Sequence, residues 1–215
     1  MANPIEGRSF EEARTGDYFA ALLQVGGDLV MVLGQIGNNQ SDCLTPVSDK
    51  VCDSLDLRSL RATGGVITPQ VRSRDGSQLD ASCQYFAAFD RAEAAAAWQS
   101  FRAQADQDLN QGLLTSLDQA LPHTTNPFEL FGRSVEVSLE LDKAKTSLTI
   151  IGLTVRPPCG GDHAVRLVVQ GDIRGEVVKA IVPSVRQAAT RSFRLETENP
   201  QGRFNGAVHG TWRLV

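Results

Sequence analysis

The sequence predicts an α+β fold: an antiparallel sheet of about six or more strands packed against one long amphipathic helix (about 91–121), preceded by an N-terminal helix. Three observations carry this expectation. An apolar stripe of helical period lies between a start and a stop signal, period-two alternation dominates the chain after residue 134, and turn residues separate the alternating runs. The whole chain, 1–215, reads as one α+β domain with an N-terminal helical and loop subregion over 1–64.

The N-terminal helix rests on Ser9-Phe10-Glu11-Glu12, a reciprocal capping pattern, and on Phe19, Leu22, Leu23, Gly26, Leu29, Val30, Leu33 and Ile36 behind it. A competing pattern exists, because Gly26-Gly27-Asp28 could turn the chain between two strands and Leu29 to Leu33 suits a buried strand. The helix-forming run Ala20-Ala21-Leu22-Leu23-Gln24 favours the helix. Residues 38–64, rich in Asn, Ser, Asp, Thr and Gly, then read as a long loop with short ordered pieces. A hairpin follows with Asp75-Gly76 at its turn. In its second strand Leu79, Ala81, Cys83, Tyr85 and Ala87 alternate with polar residues, so they share the core face.

The long helix opens on Asp90 with Glu93 three residues on, and Pro122 removes the donor that would continue it. Trp98, Phe101, Ala105, Leu109, Leu113 and Leu117 line one face, and the span would be about 45 Å. Thr124 to Gly132 reads as a loop. Val135, Val137, Leu139 and Leu141 alternate with Glu136, Ser138, Glu140 and Asp142, a strand with one wet face. Further strands are expected over 148–155, 165–170, 193–197 and 204–214, while 176–191 reads ambiguously, with Pro183 breaking or restarting a short helix there.

Composition excludes several classes of function. A net charge of −4 and a pI near 5.4, with no block of like charge, argue against a nucleic-acid partner. Tyr18 to Ile36 is the most apolar stretch, yet Gln24, Asp28 and two glycines interrupt it, so no transmembrane segment is expected. Only four of the 21 basic residues are lysine, an arginine bias common in GC-rich bacteria. No basic, then apolar leader is visible at the N-terminus, which suits either a cytoplasmic protein or a mature domain.

The candidate site residues are few. Cys43 and Cys52 bracket a polar loop and are expected to form a disulfide, with Cys83 and Cys159 as a second pair. No cysteine or histidine spacing suits zinc, and no metal or cofactor is expected. Cys159-Gly160-Gly161-Asp162-His163 could hold an activated thiolate, although a tight turn explains it as well, because nothing in the sequence would orient His163. His123 and His209 stand alone, and Glu136, Glu140 and Asp142 read as a solvated strand face. Trp98, Phe101, Leu109 and Trp212 could line an apolar groove between helix and sheet, or fill a core. No nucleophile elbow, phosphate loop or dinucleotide fingerprint occurs.

The expected function is therefore a non-enzymatic binding or protein-interaction domain of the bacterial envelope or exterior. It would be periplasmic or secreted, and serve as an accessory subunit, an inhibitor or a carrier of a small apolar ligand. The alternative is a cytoplasmic enzyme or assembly protein that uses Cys159 and His163.

Overall fold

The structure, a computed structural model, describes residues 7–25, 28–36, 47–49, 55–63, 66–72, 78–107, 111–121, 123–140, 145–155, 165–183, 191–197, 201–204 and 206–215. The strands before the helices are β1 (Tyr18–Val25), β2 (Asp28–Gln35), β3 (Val47–Asp49), β4 (Leu55–Thr63), β5 (Val66–Arg72), β6 (Gln78–Leu79) and β7 (Ala81–Phe89). Helices α1 (Ala94–Gln107) and α2 (Gln111–Ala120) follow. Then come β8 (Ser134–Leu139), β9 (Lys145–Val155), β10 (Val165–Ile173), β11 (Glu176–Pro183), β12 (Arg191–Thr197) and β13 (Gly206–Leu214).

The large sheet runs β10-β11-β12-β13-β8-β9-β2-β1-β7, and β10 also pairs with β9. That extra pairing joins β8 to β13 into a ring of six antiparallel strands, a barrel with β2, β1 and β7 as an extension. A second sheet, β3-β4-β5-β6, reaches from β7, which β5 contacts, to β11, which β3 contacts.

The predicted N-terminal helix is a β-hairpin. β1 and β2 pair from Tyr18↔Gln35 to Val25↔Asp28. The physical reason is that both faces of the hairpin are dry. Ala20, Leu22, Met31 and Leu33 belong to one core, while Phe19, Ala21, Leu23, Val30 and Val32 belong to another. A strand buried on both sides is an unbroken apolar run, which carries no period of two to distinguish it from a helix. The capping pattern at Ser9 does form, with Glu12 Oε2 accepting from the Ser9 amide at 3.1 Å and its hydroxyl at 2.9 Å. It caps a turn and no helix follows.

The single long helix over 91–121 is likewise replaced by two shorter ones of 14 and 10 residues. Arg102 donates to both carboxylate oxygens of Asp118, at 2.8 and 2.5 Å. Sixteen residues along a straight helix would separate those positions by about 24 Å, so the chain turns back between α1 and α2. Asp108, Asn110 and Gly112 are poor helix formers at that point. The start was read correctly: the Asp90 amide donates to Glu93 Oε2 at 3.4 Å, ahead of a short 3-10 turn that leads into α1.

Two further corrections concern strands. Residues 38–64, expected as a loop, contain β3 and the nine-residue β4. The helix expected within 176–191 is instead β11, reached from β10 through the two-residue turn Arg174-Gly175, whose φ angles are +52° and +83°. Asp172 Oδ1 accepts from the Gly175 amide at 2.8 Å and fixes that turn. The Asp75-Gly76 turn lies outside the described residues, although β5 and β6 on either side of it pair as a hairpin.

The main core lies inside the barrel and under the helices. Val135, Val137, Leu139, Leu148, Ile150, Leu167, Val169 and Trp212 point into the ring, while Trp98, Phe101, Leu113, Leu114 and Leu117 pack from the helices. At its centre lies Phe128, in a 3-10 turn (Pro127–Leu130) capped by Asn126, whose side chain accepts from the Phe128 amide. Its ring centroid is 5.1 Å from that of Phe89, 5.2 Å from Phe131, 5.4 Å from Tyr18 and 6.3 Å from Trp98. Edge-on and offset contacts of this kind add to the burial they bring.

Packing is tight enough to test with single methyl groups. A Cβ at Gly34 would fall 2.6 Å from two atoms of the Phe19 ring, itself fully buried. Gly34→Ala is therefore expected to cost about 1–3 kcal/mol in urea titrations. Gly112→Ala, in α2 with open space at its Cβ position, is expected to add about 0.5–1 kcal/mol. Equal effects at the two sites would contradict this packing.

Candidate functional site

The sequence-derived candidates do not converge. Cys43, Cys52, Cys159, His163, Leu109 and Asp142 lie outside the described residues, as does the side chain of His209. His123 is exposed just beyond α2. Glu136 stands on the wet face of β8 and binds Arg213 Nε at 2.9 Å and Lys145 Nζ at 3.3 Å. Desolvation pushes its carboxyl up, but the hydrogen bonds from Arg213 and Lys145 outweigh this and hold it below its ordinary value. An ion-paired carboxylate flanked by two cations is a poor proton acceptor. Trp98, Phe101 and Trp212 are 1–2 % exposed and belong to one packed cluster, so those three are core residues and not walls of an open groove.

Cys83 is a free thiol, and a β-bulge decides where it points. Between the pairs Leu22↔Tyr85 and Leu23↔Cys83, β7 carries Gln84 as an extra residue. The expected shared face is thereby split. Tyr85 packs against the main core under Phe101, whereas Cys83 packs on the opposite side with Leu23 and Phe86. Burial pushes the Cys83 thiol up to about 11, and its hydrogen bond to the Tyr85 carbonyl, at 3.2 Å, offsets this only in part. Such a thiol is protonated at neutral pH and is not an activated nucleophile.

Sequence reasoning missed a dense charged cluster, which lies where the N-terminal segment meets β1 and β7. Arg8 Nη2 contacts Asp17 Oδ1 at 2.7 Å and Asp90 Oδ1 at 3.1 Å, and Arg8 Nε donates to Asp17 Oδ2 at 3.1 Å. Asp17 is almost wholly buried and also accepts from the Arg14 amide at 2.7 Å. Arg91 Nε donates to the Gly16 carbonyl at 3.4 Å, and its guanidinium carbon lies 5.4 Å from the Tyr18 ring centroid. The Arg8 hydrogen bond holds the Asp90 carboxyl below its ordinary value. No local signal could have revealed this cluster, because Arg8 and Asp90 stand 82 positions apart.

A second polar pair sits inside the fold. Thr154 on β9 and Arg166 on β10 face each other in register, each 2 % exposed. Among the described residues, no group of three or more His, Cys, Asp or Glu side chains is arranged to hold a metal ion, and no helix is long and apolar enough to cross a membrane.

The cysteines provide a direct test. If Cys43 and Cys52 are bonded while Cys83 is free, titration of the denatured chain should find two thiols before reduction and all four afterwards. Four before reduction would remove the expected disulfide, and none would contradict the free thiol at Cys83. Compared with protein-family models, with curated proteins and with solved structures, the chain matches none, so its function is read from its own residues.

Proposed function

We propose that the chain is a non-enzymatic protein-interaction domain, an accessory or inhibitory subunit whose partner engages its outer surface. The observation that carries this reading is the close packing of the barrel interior among its described residues. Val135, Val137, Leu148, Leu167, Val169 and Trp212 are at most 2 % exposed and interlock in one core. Barrels that carry an apolar ligand keep a chamber for it, whereas small barrels filled by side chains serve as scaffolds. The geometry thus favours a protein partner over the small apolar ligand also considered. The raised thiol of Cys83 fits the same reading, since it supplies no nucleophile. A place in the bacterial envelope or exterior is part of the proposal and depends on the Cys43–Cys52 disulfide.

Native mass spectrometry of the protein purified from its source, with and without prior cross-linking, tests this function. The expected result is a protein partner in cross-linked samples and a bare chain mass without cross-linking. A small apolar molecule retained one-to-one by the folded chain would overturn the reading in favour of a carrier.

A further inference from the structure

We draw no further inference here: the strongest candidate, the buried side-chain pair where Thr154 of β9 faces Arg166 of β10, leaves the Thr154 hydroxyl without a hydrogen-bond partner, but nothing in the structure shows what would bind it.

Discussion

Strand β9 belongs to two structures at once, and the rest of the fold depends on that. Along one edge its first half pairs with β8 inside the barrel, from Lys145↔Ser138 to Thr149↔Ser134, while its second half pairs with β2, from Gly152↔Gly34 to Val155↔Met31. Its other edge carries β10 and closes the ring. One strand can serve both only if it bends between its halves. The bend is a bulge at Ile151, where β9 has one residue more than β10. Gly152 follows it, and a Cβ there would approach the Leu33 carbonyl to 3.2 Å and Val168 Cβ to 3.4 Å. A small residue is what lets three strands meet at that point.

The helices follow from this split. Beside this split the aromatic group around Phe128 belongs to the same main core as the barrel strands. Phe128 joins Tyr18 of β1, Phe89 of β7 and Trp98 of α1, so extension and helix share one set of ring contacts. Asn126 and Pro127 hold the turn that presents Phe128. The Arg102–Asp118 pair then fixes α2 against α1, leaving Leu113, Leu114 and Leu117 buried. Surface chemistry is left to exposed strand faces. That is why the functional reading looks outward.

How far the sequence could be read depended on where water lies. β8 was legible because Val135, Val137 and Leu139 are buried while Glu136 and Ser138 between them are partly exposed, so the period of two survives in the residues. β1 and β2 were illegible as strands for the opposite reason, since both faces are covered and Ala20 to Leu23 imitates a helix. The helix start at Asp90 was legible from local hydrogen bonding. The division into α1 and α2 was not, because the three- and four-residue apolar spacing continues from Phe101 to Leu113. Ring closure depends on β13 meeting β8, as in Trp212↔Val137, a pairing that no neighbouring residues announce. The charged cluster at Arg8 was hidden in the same way. Of the site residues, Trp98, Phe101 and Trp212 were recognisable as apolar anchors, but only the fold shows that they are filled core.

A shared β9 makes barrel and extension a single cooperative unit. The two tryptophans report on them separately, Trp212 from inside the ring and Trp98 from the helix over the extension. The decisive measurement is urea unfolding of Trp98→Phe and Trp212→Phe, comparing the fluorescence of the remaining tryptophan with far-UV circular dichroism in each variant. Coincident transitions within each variant are expected. A Trp212 signal that persists after Trp98 has been released, or the reverse, would show two independent units and contradict the role assigned to β9.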